Sequence, residues 1–301
     1  MSSISPSSPS STAVSAWVTP VELALLGAIW GASFMFQRVA APQFGAVPLV
    51  ELRLALGAIA LLPFLWKARE SFRDIPLWRI AGVGLINSTI PFVLFAWATE
   101  RAPAGIGAIS NATTAIFAPI LALILFGERI HTRRGLGIAA GFIGVVVLAS
   151  GKVAGASVGA AAMAGTLAGL LYAIGAVVAK RWLAGLPPAA LAAATLSCGA
   201  VLLLPLAIAS WPRTPPTPRA WWCAVAAGVL CTGIAFAIFY RLLQRVGAPR
   251  AAAVTYLISL FGVFWGWLLL REPITPTMAI ACALILGGVW MSQLSAAPMQ
   301  R

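Results

Sequence analysis

Residues 84–101 read GLINSTIPFVLFAWATER, and residues 228–245 read GVLCTGIAFAIFYRLLQR. The two stretches align without a gap at an offset of 144 residues, and each ends in arginine. The match continues to Glu128 and Glu272, each of which is followed two positions later by isoleucine. Apolar sequences match one another by chance, so the shared polar positions carry more weight than the apolar ones. The chain is therefore predicted to contain an internal repeat.

The composition places most of the chain in a lipid bilayer. Of the 301 residues, 61% are hydrophobic and only 9% are charged, whereas a soluble globular protein has about 25% charged residues. A fold in water could not bury so much apolar surface, so the bilayer must serve as its solvent. We predict an all-α integral membrane protein, because helices satisfy their own backbone hydrogen bonds in lipid.

Ten apolar spans are separated by short connections that hold most of the prolines and basic residues. Most of the spans approach the roughly 20 residues needed to cross a bilayer core. The predicted spans are 21–40, 47–66, 76–98, 103–125, 134–151, 160–183, 188–211, 219–243, 249–270 and 276–294. Residues 21–151 hold the first five, and residues 160–295 hold the second five. Residues 1–20 are predicted to be a disordered cytoplasmic tail without the basic region of a signal peptide, and residues 296–301 form a C-terminal tail.

Five is an odd number, so the second half must enter the membrane from the opposite side. Inverted repeats of this kind are typical of secondary transporters, whose solute site lies between the halves. Thirteen Lys and Arg residues lie on the side that holds the N-terminus and the connections after spans 2, 4, 6 and 8. Six lie on the other side, and Arg53 lies within span 2. Since cytoplasmic connections are the more basic, both termini are predicted to be cytoplasmic.

Several other functions are disfavoured by the same sequence. The net charge of +13 does not indicate nucleic-acid binding, because the basic residues flank apolar spans instead of lining one face. The four cysteines form no C-x-x-C pair, and the single histidine, His131, lies in a basic connection. No cluster of His, Asp, Ser or Cys near one interface suggests an enzyme. We predict no catalytic residue, no metal ion and no cofactor.

Glycines four residues apart, such as Gly27 with Gly31 and Gly262 with Gly266, allow helix backbones to approach closely in a membrane. With ten spans to pack, these contacts are expected within one chain. The expected partners are therefore the lipid bilayer and a small-molecule solute, and the expected state is a monomer.

Prolines and polar side chains cluster in the middle of spans 3 and 4. Pro91 and Pro119 each remove a backbone hydrogen bond and are expected to kink their helices. Exposed backbone carbonyls at this depth are tolerated only against protein or a wet cavity, so spans 3 and 4 are predicted to line a cavity. The repeat assigns spans 8 and 9 the same role. Alternatively, the hydroxyls of these spans bond locally within their own helices.

Four short motifs occur in a fixed order: AIWGASF at 28–34, ELRLALGA at 51–58, FGER at 126–129 and LREP at 270–273. Together with ten spans in two halves, they make the chain resemble the EamA-type branch of the drug/metabolite transporter superfamily. It looks most like the bacterial exporters of amino acids, including aromatic ones. The resemblance covers about residues 20–295, and it departs from the family where Arg271 replaces the glycine before Glu272.

The resemblance implies a basket of helices around a central cavity that opens alternately to either side of the bacterial inner membrane. Spans 1 to 4 and 6 to 9 would line the cavity, while spans 5 and 10 would brace the outside. The residues at family-like positions are Trp30, Phe34, Arg53, Asn87 and Glu128.

We predict that the solute contacts Trp30, Phe34, Arg53, Asn87, Thr89, Asn111, Thr114, Tyr256 and Ser259. Trp30 would offer an aromatic face, and the amides and the tyrosine hydroxyl can match a zwitterion without a fixed charge. Arg53 would either extend to the outer mouth and attract carboxylates there or point into the cavity. No Asp, Glu or His lies at a bilayer midpoint, which disfavours strong proton coupling.

The predicted function is export of amino acids and related small metabolites by alternating access. The alternative within the superfamily is exchange of nucleotide sugars or phosphate esters, which would require several Arg or Lys residues in the cavity. The alternative outside it is a membrane enzyme or an assembly scaffold.

Overall fold

The helices of the protein follow the predicted apolar spans. The structure is a computed structural model and describes residues 18–127, 130–247, 251 and 253–294. The predicted tails, apart from their residues 18–20, and Glu128 lie outside these ranges. Within them there is no β-strand. The helices are α1 (Val18–Phe44), α2 (Ala46–Lys67), α3 (Leu77–Arg101), α4 (Ala104–Phe126), α5 (Thr132–Ser150), α6 (Val158–Trp182), α7 (Pro188–Ala209), α8 (Pro218–Val246), α9 (Val254–Leu270) and α10 (Pro276–Leu294).

Eight helices in the described part of the chain, α1 to α8, are long and apolar enough to cross a membrane. Two further apolar stretches follow, Val254–Leu270 in α9 and Pro276–Ser292 in α10. Large apolar side chains on the outside of the bundle are exposed, among them Val201 at 71% and Trp222 at 74%. Such a surface is stable only against lipid, since water would not tolerate so large an apolar area. The chain is a multi-pass membrane protein.

The helices pack in pairs that correspond between the two predicted halves. Helix α1 packs on α9, and the equivalent helices α6 and α4 pack on each other. Helix α3 packs on α6, and correspondingly α8 packs on α1. The two largest of the other contacts join equivalent helices directly, α2 with α7 and α5 with α10. Each half therefore packs mainly on the other half.

Glycines permit the closest of these contacts. A Cβ placed on Gly31 would lie 2.7 Å from Phe261 Cβ and 2.8 Å from the backbone nitrogen of Gly262. Between α5 and α10, a Cβ on Gly144 would lie 2.7 Å from Ile285 Cγ1. The small residues in these helices thus pack within the chain, as the sequence predicts.

Helices α3 and α8 each contain a π-helical segment, at Leu85–Thr89 and Ala226–Ile234. The offset of 144 residues places the first segment inside the second. In both, a threonine hydroxyl donates to the carbonyl five residues earlier, from Thr89 to Gly84 and from Thr232 to Ala227, at 3.2 and 2.9 Å. Wide turns of this kind often occur at functional sites, because they redirect carbonyls and side chains.

The helix irregularities precede the mid-span prolines. In α3 the π-helical segment ends two residues before Pro91. In α4 the regular helix is interrupted at Ala112 and Thr113, ahead of Pro119. The prolines mark the correct helices, but the backbone changes lie one or two turns earlier along the chain.

Candidate functional site

A cavity of about 310 Å³ lies at the centre of the bundle. Its wall comes from α1, α2, α3, α4, α6, α8 and α9, and thus from both halves. The volume is at the lower end of the range for small-molecule sites, roughly 300–1,000 Å³. Among the described residues, α5, α7 and α10 contribute none to this wall. Helix α7 was expected to line the cavity, but it packs behind α2 instead.

Six of the nine predicted site residues lie together on this wall. They come from four helices and include aromatic, amide, hydroxyl and guanidinium groups. They are Trp30, Phe34, Arg53, Asn87, Asn111 and Thr114.

The other three predicted residues lie outside the wall. The buried hydroxyl of Thr89 donates to the Gly84 carbonyl within its own helix. Ser259 donates to the carbonyl of Ala108 at 2.9 Å and so joins α9 to α4. Tyr256 packs against an apolar cluster on the α5 and α10 side of α9. The Thr89 hydroxyl thus has the local role that the sequence left open, whereas the Ser259 hydroxyl satisfies a carbonyl of a neighbouring helix.

The wall also contains residues that the sequence interpretation did not select. Six of them are aromatic, and four of these six lie on the second half. The unselected residues are Ser33, Gln37, Phe92, Phe95, Tyr172, Phe236, Phe239, Tyr240, Thr255 and Ile258. The repeat held a signal for four of them, because Phe92 aligns with Phe236 and Phe95 aligns with Phe239. Both aligned pairs line the same cavity.

Trp30 is the centre of one aromatic group. Its ring centroid lies 5.8 Å from that of Phe236 and 5.1 Å from that of Phe239. Its indole N–H donates to the carbonyl of Cys231 at 2.9 Å. Cys231 belongs to the π-helical segment of α8. The wide turn therefore presents a carbonyl that fixes the Trp30 ring on the wall.

A second aromatic group lies on the same wall. The ring of Phe34 meets that of Phe95 edge-on at 5.3 Å, and Tyr172 lies 6.0 Å beyond Phe95. Aromatic pairs at these separations are mutually stabilising and present flat apolar faces. An apolar or aromatic side chain of a solute would find matching surfaces here.

Arg53 is buried and points into the bundle, so it does not extend to the outer mouth. Its Nε–H donates to the hydroxyl of Thr232 at 2.9 Å. Its guanidinium carbon lies 3.9 Å from the centroid of the Phe92 ring. Thr232 is itself held by the π-helical segment of α8. Both halves thus fix the guanidinium in one orientation.

Glu51 lies two residues before Arg53 on α2 but does not pair with it. The residue is 8% exposed, and its Oε2 has no hydrogen-bond partner among the described residues. It is absent from the cavity wall. Residues two apart on a helix face different directions, which explains their separation.

Neutral amides complete the wall. The Nε2 of Gln37 donates to the carbonyl of Ser33 at 3.0 Å, which leaves its buried Oε1 without a partner among the described residues. Asn87 and Asn111 also reach the wall. Amides can both donate and accept hydrogen bonds, so these three residues can bind polar groups of either kind.

One end of the bundle is closed by a network around Arg38. Its Nε–H donates to Glu272 Oε1 at 3.0 Å, and its NH1 donates to the carbonyls of Thr99 and Glu100, both at 3.0 Å. The other oxygen of Glu272 accepts from the backbone N–H of Ala104 at 2.8 Å. The network joins α1, α3 and α4 to the connection that follows α9.

The Glu272 carboxyl lies in a connection beyond the helical spans. Burial raises its pKa above the ordinary value, although the Ala104 N–H and the charge of Arg38 act in the opposite direction. At the other end of the bundle, Arg245 pairs with Glu22. An ion pair between the halves is therefore present at each end.

No group of three or more His, Cys, Asp or Glu residues that could hold a metal ion occurs in the described part of the chain.

Residues 20–150 and 159–294 each match the model of the EamA-like transporter family. The chain is 24% identical to a "Probable amino-acid metabolite efflux pump" of Escherichia coli, over 89% of this chain and 92% of that protein. It is 26% identical to a "Probable terminal-alkyne amino-acid exporter" of Streptantibioticus cattleyicolor, over 89% and 91%. A solved crystal structure of 21% identity covers 94% of this chain and 98% of its own, with a TM-score of 0.62, and is similar in fold.

Proposed function

Because the chain belongs to the EamA-like transporter family, we propose that this transporter exports amino acids and related small metabolites. The observation that carries the proposal is the central cavity. Its wall combines aromatic faces, neutral amides and one guanidinium from both halves. Such a wall suits a small solute with an apolar side chain and a polar head. The names of the Escherichia coli and Streptantibioticus cattleyicolor relatives point to the same solute class.

The proposed architecture is ten spans in two inverted halves. The two last apolar helices, α9 and α10, would span as well, because they pack against α1 and α5 along the bundle. The correspondence between helix pairs and between π-helical segments supports the two-fold relation. Five spans in each half require the second half to be inverted.

The proposed mechanism is alternating access by movement of one half against the other. Ion pairs between the halves occur at both ends, so each end can be closed in turn. Opening the Arg38 end would break the pair with Glu272, and opening the opposite end would break the pair of Glu22 with Arg245. The solute would enter or leave the cavity from the side of the membrane at which the bundle is open.

The proposed location is a bacterial inner membrane, with both termini cytoplasmic and the protein acting as a monomer. The excess of Lys and Arg on one side supports this orientation. A cysteine at the exposed position of Ser71 should then react in intact cells only with membrane-permeant thiol reagents. Labelling of that cysteine by an impermeant reagent would contradict this orientation and indicate the opposite one.

Flux across liposomes that contain only this protein tests the function. Radiolabelled amino acids with aromatic, aliphatic, acidic and basic side chains would be compared with phosphate esters in counter-exchange. We expect protein-dependent flux of aromatic or aliphatic amino acids. Flux of phosphate esters alone would contradict the proposal and favour the exchanger, which the single basic residue on the described wall does not support.

A further inference from the structure

Arg53 carries the only charge on the cavity wall within the described part of the chain. The residue is 6% exposed. A charged group at membrane depth costs roughly 3 kcal/mol or more unless it is paired or faces a polar cavity. A buried guanidinium at this place therefore requires an explanation beyond helix packing.

The hydrogen bonds of Arg53 are incomplete. Thr232 accepts from Nε, and the ring of Phe92 covers one face of the guanidinium. The two terminal nitrogens donate to no described residue. A guanidinium has five N–H groups in a planar fork, so its carboxylate-binding edge remains available at the cavity.

No described carboxylate of the protein occupies that edge. The acidic residues in ion pairs among the described residues are engaged elsewhere: Glu22 with Arg245, Glu70 with Arg69, Glu100 with Arg101 and Glu272 with Arg38. Glu51 makes no hydrogen bond to Arg53. Among the described residues no acidic side chain supplies an anion to this edge, so a ligand in the cavity can complete the guanidinium.

The remainder of the described wall has no fixed negative charge. An ammonium group in the cavity would meet only neutral acceptors, such as the Oε1 of Gln37, and aromatic faces. A carboxylate would meet an oriented guanidinium, and the bidentate pair between these groups is among the strongest hydrogen-bonded contacts in proteins. The cavity therefore attracts the carboxylate of an amino acid more strongly than its ammonium group.

We propose that Arg53 binds the carboxylate of the solute, and that the cavity requires this carboxylate but not the amino group. The proposal rests on the transport function proposed above and specifies its solute class. It extends that class to apolar and aromatic carboxylates that lack an amine. It excludes amines and esters of the same shape.

Four compounds of similar shape separate these requirements: L-phenylalanine, 3-phenylpropionate, L-phenylalanine methyl ester and 2-phenylethylamine. Binding to the purified full chain in detergent would be measured by the shift in thermal unfolding, without any transport step. We expect the two carboxylates to bind, and the ester and the amine to bind at least about tenfold more weakly, which corresponds to about 1.4 kcal/mol. Equal binding of the acid and its ester, or no binding of either carboxylate, would overturn the proposal.

The variants Arg53→Gln and Arg53→Lys test the residue itself. Arg53→Gln should remove the preference for the acid over the ester, and Arg53→Lys should retain part of it through its charge. The matched control is Arg69→Gln, since Arg69 is exposed and its contacts are with the nearby residues Glu70 and Trp66. If Arg53→Gln does not fold, Thr232→Val removes the Nε partner and should weaken acid binding while leaving ester binding unchanged. An unchanged preference in a folded Arg53→Gln protein would contradict the assignment.

Flux of the same compounds separates this proposal from the transport function. Arg53-dependent binding of carboxylates without flux would support the site and contradict the transport function. Flux that is indifferent to the carboxylate would support transport and overturn the role of Arg53.

Discussion

Arg38 and Glu272 are joined by a hydrogen-bonded ion pair of 3.0 Å that connects the first helix to the connection after α9. The two residues are 234 positions apart in the chain. Their side chains are 31% and 13% exposed, so water screens the pair less than it would an ion pair at an open surface. The pair therefore holds the two halves together at one end of the cavity.

Replacement of Glu272 by Gln should destabilise the protein. An amide has one accepting oxygen where the carboxyl has two, so either the Arg38 Nε–H or the Ala104 N–H loses its acceptor. A loss of about 1–3 kcal/mol in the free energy of unfolding is expected when a buried polar group loses its partner. Thermal unfolding in detergent measures the loss. The control is Glu70→Gln, because Glu70 forms an exposed pair with Arg69; equal losses in the two variants would contradict the role of the Arg38 network.

The stability of the protein should also depend on the protonation of Glu272. Burial raises the pKa of this carboxyl in the folded protein above the ordinary value of 4.5. The folded state then binds the proton more tightly than the unfolded state, so this contribution to stability is present at low pH. It is lost as the pH rises through the folded pKa. Wild type should therefore lose stability relative to Glu272→Gln as the pH is raised from about 4.5. A difference in the free energy of unfolding between the two proteins that is constant with pH would contradict the raised pKa.

Gly31 should tolerate no side chain, because α1 and α9 approach closely there. A Cβ would lie 2.7 Å from Phe261 Cβ and 2.9 Å from the Phe261 carbonyl carbon. Gly31→Ala should cost about 1–3 kcal/mol through overpacking. The matched control is Gly287→Ala, since Gly287 is also helical and a Cβ placed on it would meet nothing within 4 Å; it should be neutral or slightly stabilising. Both free energies follow from unfolding in detergent, and a tolerated Gly31→Ala would mean that the two helices can separate at little cost.

The helical fold could be predicted from the sequence because a chain in lipid must satisfy its backbone hydrogen bonds within helices. The apolar spans, the short connections and the repeat can each be read directly from the sequence. The helices of the structure agree with the predicted spans. The repeat also aligned Phe92 with Phe236, and both reach the cavity. The π-helical segments could not be predicted, because they depend on hydroxyls such as those of Thr89 and Thr232, which bond five residues back.

The site was only partly predictable, for a related reason. Trp30, Arg53 and Asn87 reach the wall, whereas Ser259 faces a neighbouring backbone carbonyl. The direction of a small polar side chain on a helix depends on rotation of the helix within the bundle, which a single apolar sequence does not determine. Tyr172 was missed because no polar neighbour in the sequence marks its face of α6.

The central claim is that the solute crosses the membrane through the cavity, and a cysteine on its wall tests this most directly. The four native cysteines would be replaced by serine or alanine, and Thr114→Cys would be introduced on the wall. Ala154→Cys, in the exposed connection between α5 and α6, provides the control. After reaction with a bulky maleimide, flux of the most rapidly transported compound should be lost in liposomes that carry Thr114→Cys and unchanged in those that carry Ala154→Cys. Full flux through a protein that is completely modified at position 114 would contradict the account.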